Sequence, residues 1–200
     1  LKKEKENFSS LMERVRQCTL CAADLPQTPR PVLAASEQSR IVVVGQAPGI
    51  LAHDSATPWN DRSGDRLRKW MGIDKNTFYN EQLISLIPMG FCFPGYKNGA
   101  DAPPRKECAP TWHHQLMHRI KPSLTLLVGR YAQQYYCPGY KTLTRAVEEE
   151  SMNQSHLIIT PHPSGRNNRW LVKNPWFEQS VVPKLQSRVA EILATEYHPA

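Results

Sequence analysis

The amino-acid sequence predicts a three-layer α/β/α fold on a central four-stranded, mainly parallel sheet. Three observations carry that reading. Four short runs, RIVVVG (40–45), QLISLIP (82–88), SLTLLVG (123–129) and SHLIITP (155–161), are apolar almost throughout, as strands covered on both faces must be. Segments of helical spacing separate them, and strands alternating with helices build parallel sheets. The runs end in GQAPG, PMGFC, GRYAQ and PHPSGRN, which a parallel sheet brings to one edge, where such sheets bind ligands.

Taken in order, residues 1–7 are charged and read as frayed. Phe8, Leu11, Met12 and Val15 then keep helical spacing and predict a short amphipathic helix over 7–17, ending at Cys18. Ala22 to Ser39 is proline-rich and irregular. After the first strand, SGDRLRKWMGI (63–73) reads as a helix, and after the second so does APTWHHQLMHRI (109–120). Helical pieces cover 130–150 after the third strand, and a last helix runs from about Trp176 to Glu196. There is no internal repeat. Two hundred residues, 40% of them hydrophobic, suffice for one core. The expectation is one domain, an N-terminal arm over 8–39 followed by an α/β core over 40–196.

The totals exclude some functions. The apolar runs are too short to cross a bilayer and no signal-peptide core opens the chain, so a soluble, cytoplasmic protein without a membrane partner is expected. The net charge of +7 is spread along the chain rather than massed in a tail. A polyanion is the first partner to consider, although charge alone does not separate it from a solvated basic surface.

Five cysteines are an odd number, and an intracellular setting disfavours disulfides. Cys18 and Cys21, in CTLC, stand at chelating spacing, and fifteen residues separate Cys92 from Cys108. Four thiolates suit a cubane iron–sulfur cluster or tetrahedral zinc. Cys137 is left over. His114 and His118 share a helix face at i, i+4, but no third ligand follows from spacing, and an exposed polar face accounts for them better.

Gly45, Pro48 and Gly49, around Gln46 and Ala47, make a tight turn out of the first strand, and a lone turn of this kind says little. With TPWNDRSGDRL and PHPSGRN following in this order, it resembles the uracil-DNA glycosylase superfamily, from about Cys18 to the final helix. The closest likeness is to its iron–sulfur, four-cysteine branch. The resemblance implies a monomeric DNA glycosylase that hydrolyses the N-glycosidic bond of uracil or a related deaminated base in DNA and initiates base excision repair. It implies that Gly45, Gln46, Ala47, Pro48 and Gly49 form the base pocket, with Trp59 as its aromatic face. His162 becomes the donor at uracil O2. Ser63, Gly64, Ser164 and Gly165 contact the phosphate backbone, and Arg166 and Asn167 lie in the loop that fills the gap left by an extruded nucleotide. Cys18, Cys21, Cys92 and Cys108 would hold a structural 4Fe-4S cluster, zinc being the less expected metal.

The physics of extruding a base matches those roles. Unstacking costs on the order of a few kcal/mol, which calls for a plug and for cationic phosphate contacts, and Arg62, Arg66, Arg166, Arg169 and Lys173 stand in or beside the proposed loops.

Two departures narrow the expectation. Ala47 stands where the best-known families place Asp or Asn, so the acidic partner is sought in Asp54, with His53 as the competitor. Pro88 and Met89 occupy the neighbourhood where the iron–sulfur branch reads the base with asparagine, which leaves reading to Gln46 and backbone groups. Two other classes remain open: a catalytically weak DNA-damage or single-strand DNA-binding protein of the same fold, and an α/β enzyme acting on a nucleotide or other phosphate compound.

Overall fold

The computed structural model describes residues 6–152 and 156–195. Helix α1 spans Phe8–Arg16; the Asn7 side chain accepts a hydrogen bond from Ser10 N (2.8 Å) at its start, and Leu11, Met12 and Val15 are its buried face. Glu6 pairs with Arg14 at 2.7 Å. The two described residues of the stretch expected to fray therefore have partners, and residues 1–5 lie outside the described residues.

Strand β1 (Ile41–Val44) is buried along its whole length. After it come α2 (Ile50–Ser55), α3 (Arg62–Met71) and α4 (Lys75–Phe78), then β2 (Ile84–Leu86). A small antiparallel hairpin follows, β3 (Tyr96–Lys97) and β4 (Ala100–Asp101). Helix α5 (His114–Ile120) leads to β5 (Leu124–Val128), α6 (Arg130–Tyr136) and α7 (Leu143–Met152) to β6 (Leu157–Thr160), and α8 (Asn168–Lys173) and α9 (Val182–Ala194) close the chain.

The four long strands form one sheet in the order β2-β1-β5-β6, every neighbouring pair parallel. Ala34 adds an isolated antiparallel bridge to Leu86 at the β2 edge. Helices flank the sheet on both faces, giving the predicted three layers; α6 packs on β5, α7 on β6, and α3 against α9. The fold class and the strands are as the sequence predicts. The predicted helices over 109–120 and from Trp176 each begin with a wide π-helical turn, Ala109–His113 and Phe177–Val181, with Pro110 inside the first and Pro183 just after the second. Proline has no N–H for the regular ladder, which accommodates the widening. The expected end at Glu196 lies outside the described residues. Helices α2, α4 and α8 and the hairpin carry too few residues for periodicity to announce them.

One buried polar contact ties the sheet edge to the helical layer. His113, only 1% exposed, stacks on Phe91, takes the Tyr136 hydroxyl at Nδ1 (2.7 Å) and reaches the Pro88 carbonyl with Nε2 (3.0 Å). A carbonyl only accepts, so the proton sits on Nε2 and Tyr136 donates. This fixes the chain where it leaves β2.

Burial lowers the pKa of His113 to about 4, against an ordinary value of 6.5. The unfolded chain binds this proton below about 6.5 while the folded chain refuses it until about 4, so the stabilisation is complete above 6.5 and lost as pH falls through that window. Thermal melts taken from pH 7 down to pH 4 should show an acid loss on the order of 2–3 kcal/mol from this residue, and His113→Gln, which keeps a donor without titrating, should flatten that limb. An unchanged limb in the variant would remove His113 as its source.

Candidate active site

The parallel sheet delivers two loops to its carboxyl edge, Gly45–Gly49 after β1 and Pro161–Asn167 after β6. With the start of α3 and the β3–β4 hairpin they enclose a cavity of about 360 Å3. Of the residues singled out in the sequence, Gly45, Gln46, Ala47, Pro48, Gly49, Trp59 and Ser63 line it on one side of the chain order, and His162, Ser164, Arg166 and Asn167 on the other. Gly64 lies buried just behind Ser63, and Gly165 is exposed on the loop after β6.

Trp59 is locked in place by two glycines. A Cβ on Gly45 would stand 2.6 Å from Trp59 Cζ2, and one on Gly64 would stand 1.9 Å from the Trp59 carbonyl oxygen. Both contacts are closer than any other side chain permits. Trp59 itself adopts φ 58°, a left-handed conformation that costs a bulky residue on the order of 1–3 kcal/mol. The surroundings hold it there: Tyr79 donates its hydroxyl to the Pro58 carbonyl (2.9 Å), and Asp61 caps α3 by accepting from Gly64 N (2.8 Å). The indole stacks on the His162 ring, with centroids 5.5 Å apart and planes 29° from parallel.

His162 Nδ1 accepts a hydrogen bond from Ser164 N at 3.2 Å. An acceptor nitrogen carries no proton, so in the neutral ring the N–H is at Nε2. Burial lowers its pKa to about 4, against the opposing pull of Asp61, so at neutral pH the ring is an uncharged donor. Asn167 Nδ2 donates to the His162 carbonyl (2.7 Å) and its N–H to Ser164 O (3.0 Å), which closes the loop on itself.

The hairpin is a part of the site that no sequence pattern announces. Gln46 Nε2 donates to Ala102 O (3.4 Å), Ala102 N to Gly95 O (2.8 Å), and Arg166 Nη2 to Gly99 O (2.5 Å). The loops after β1 and β6 thus both hold the hairpin. It brings Ala100 and Asp101 into the cavity lining, where Asp61, Tyr131, Val32 and Pro88 also stand. Gln46, expected to read a base, has its amide turned to this backbone. The N–H groups of Met89 and Gly90 donate to Gly45 O (2.9 Å) and Gln46 O (3.0 Å).

The structure does not bring Asp54 to the cavity. It is exposed on α2, its carbonyl taking a hydrogen bond from Arg30, because the helical turn there directs the cavity side to Gly49 and Ala52. His53 is buried against Phe93, outside the lining. Among the cationic residues, Arg62, Arg166, Arg169 and Lys173 are exposed, while Arg66 Nη1 donates to Asn168 Oδ1 (2.8 Å) and links α3 to α8. His114 and His118 stack on each other on an exposed face.

Cys18, Cys21, Cys92 and Cys108 line one small cavity of about 10 Å3, shared with Phe91, Pro29, Pro31 and Arg105. All four are free thiols. Burial, with the neighbouring cysteines adding to it, raises Cys92 to about 11 and Cys108 to about 12. Among the described residues, no three or more Cys, His, Asp or Glu are gathered closely enough to hold a metal ion as they stand. Cys137 lies elsewhere, beside α6.

Comparison with known proteins adds two findings. The family model of the uracil DNA glycosylase superfamily matches residues 33–186. A type-4 uracil-DNA glycosylase from Thermotoga maritima is 26% identical over 167 residues, which cover 80% of this chain and 82% of that protein.

The glycine contacts order two substitutions. Gly45→Ala forces the Trp59 ring aside and should cost about 1–3 kcal/mol, the usual range for overpacking. Gly64→Ala should cost more, because the obstacle is a backbone carbonyl rather than a ring edge. Thermal melts with near-UV circular dichroism of the indole bands measure both; equal and small losses would mean that Trp59 is not clamped.

Proposed function

The chain belongs to the uracil DNA glycosylase superfamily, and from that premise we propose that it hydrolyses the N-glycosidic bond of uracil or a related deaminated base in DNA, the first step of base excision repair. The observation that carries the reading is His162, a neutral ring with its proton on Nε2, braced by Trp59 at the wall of a base-sized cavity. Breaking the bond from C1′ to the base leaves negative charge on the pyrimidine. A desolvated, uncharged N–H donor aimed at that charge stabilises the transition state more than the ground state.

The other roles follow from the same cavity. Gly45 to Gly49 receive the flat base, and the Trp59 indole supplies the apolar wall. Ser63, Ser164 and the adjacent backbone approach the DNA phosphates. Arg166, exposed and hydrogen-bonded to the Gly99 carbonyl, would exchange that carbonyl for the space an extruded nucleotide leaves. Arg62, Arg169 and Lys173 add sequence-independent attraction to the backbone. The reading of this protein as a weakly catalytic DNA binder draws support from two observations: Ala47 brings no acid to the loop after β1, and Asp54 lies outside the cavity lining.

The cysteine cavity supports a metal group by its donor set: four sulfurs, enclosed by apolar side chains and Arg105. That chemistry suits a 4Fe-4S cluster, with zinc as the alternative. We assign Cys18, Cys21, Cys92 and Cys108 to it. When bound, the group would supply cross-linking rather than electron transfer, since hydrolysis needs no electron. Its effect would be to tie the arm that carries CTLC to the chain that follows β2 and thereby to the root of the hairpin.

Incubation with uracil-containing single-stranded and duplex DNA, followed by alkali, should reveal abasic sites. His162→Ala should lower the single-turnover rate on the order of 10²–10³-fold, as loss of one such donor does elsewhere, with little change in DNA affinity. Binding without strand breaks in the native protein would select the binding function instead, and a retained rate in the variant would take His162 out of the mechanism.

Protein purified without oxygen should contain about four irons and four sulfides per chain. One equivalent of zinc, or a folded protein without metal, would overturn the cluster assignment and leave the glycosylase reading standing.

A further inference from the structure

Hydrolysis of a glycosidic bond needs an acceptor for the proton of the attacking water as well as a donor for the leaving group. Ala47 offers a methyl group, Asp54 faces solvent, and His162 is committed to the leaving group. Two carboxylates do line the cavity, Asp61 and Asp101. Asp61 is engaged: its Oδ1 takes the Gly64 N–H and caps α3. Asp101 has no hydrogen bond to its carboxylate among the described residues. Its Oδ2 lies against Gly49, 3.4 Å from where a Cβ would stand on that glycine.

Resting on the glycosylase reading, we infer that Asp101, on β4 of the hairpin, is the catalytic carboxylate that orients the attacking water and takes its proton. The hairpin holds it from both sides, through Gln46 on the loop after β1 and through Arg166 on the loop after β6. The carboxylate therefore stands at the same cavity wall as Ala47 but on a different piece of chain. The reaction balances: water oxygen bonds to C1′, the C1′–N bond breaks with its electron pair leaving on the base beside His162 Nε2–H, and one water proton passes to the Asp101 carboxylate. The products are the base anion, which is then protonated, and an abasic sugar bearing C1′–OH.

The charged groups around Asp101 suit that work. Asp101 is exposed on β4, yet the desolvation it does undergo raises its pKa; Arg166 opposes this, and Asp61 adds to it. Tyr96 is its partner across the hairpin and is exposed. A carboxylate made more basic than free aspartate takes a proton more readily. The Arg166 charge, which acts on the acid, also makes it sensitive to DNA entry, since the same arginine is the one assigned to the gap left by the extruded nucleotide.

The test is single-turnover excision from uracil-containing single-stranded DNA across pH, comparing the native protein with D101N, D101E and D61S. The last keeps an oxygen for the helix cap while removing the charge. Native excision should fall toward acid pH. D101N should be slower by about 10²–10⁴-fold, the range for loss of a general base, and should lose the acid limb. D101E should recover part of the rate, and DNA affinity of D101N, read by fluorescence anisotropy, should be unchanged or tighter because a negative charge has gone. Circular dichroism on all three variants separates misfolding from lost chemistry. Native excision with D101N slowed by less than about tenfold would overturn the assignment while leaving the glycosylase reading intact. Loss of the acid limb in D61S instead would move the role to Asp61. Absence of excision by the native protein would overturn the glycosylase reading and this assignment with it.

Discussion

The Trp59 carbonyl lies so close to Gly64 that no Cβ fits between them, and the rest of the cavity is built around that contact. It joins the segment after α2 to the first turn of α3, and it holds the indole in a conformation that a tryptophan does not choose freely. Gly45 then takes the ring edge, which brings the loop after β1 against the same residue. His162 stacks on the ring, so the loop after β6 is aligned by it too. Three pieces of chain distant in sequence thus share one rigid reference. A glycosylase needs this rigidity, because a donor misplaced by about 1 Å loses much of its catalytic effect.

The electrostatics follow from where the sheet ends. Burial keeps both His113 and His162 uncharged at neutral pH, but they spend that neutrality differently. His113 has both ring nitrogens bonded, to Tyr136 and to Pro88, and serves to hold the exit of β2. His162 has Nδ1 bonded to its own loop, which sets the tautomer and leaves Nε2–H for a ligand. Arg166 lines the cavity and Arg62, Arg169 and Lys173 stand in solvent, where cations attract polyanions at long range without the desolvation cost of burial.

The hairpin between Cys92 and Cys108 connects the two halves of the molecule's chemistry. At one end it hangs from the chain that also carries cysteines of the small sulfur-lined cavity; at the other it places Asp101 in the large one. Two strands of two residues have no stability of their own. Their position depends on Gln46, on Arg166 and on the loop from which they rise.

Much was legible in the sequence because it depends on local patterns. Uniform apolarity marked β1, β2, β5 and β6, and the order of strands and helices determined a parallel sheet, since parallel neighbours require crossovers. The ends of β1 and β6 therefore had to meet at one edge, which brought Gly45–Gly49 and His162–Asn167 into view together. What the tertiary structure decided are the choices that patterns leave free. Read along the chain, Asp54 is the acid to expect and Asp101 draws no notice; only the turn of α2 and the docking of the six-residue hairpin 96–101 put the first outside the cavity lining and the second in it. The tautomer of His162, the burial of His113 and the left-handed Trp59 follow in the same way from contacts between residues far apart in sequence, where packing sets side-chain positions that local propensity does not encode.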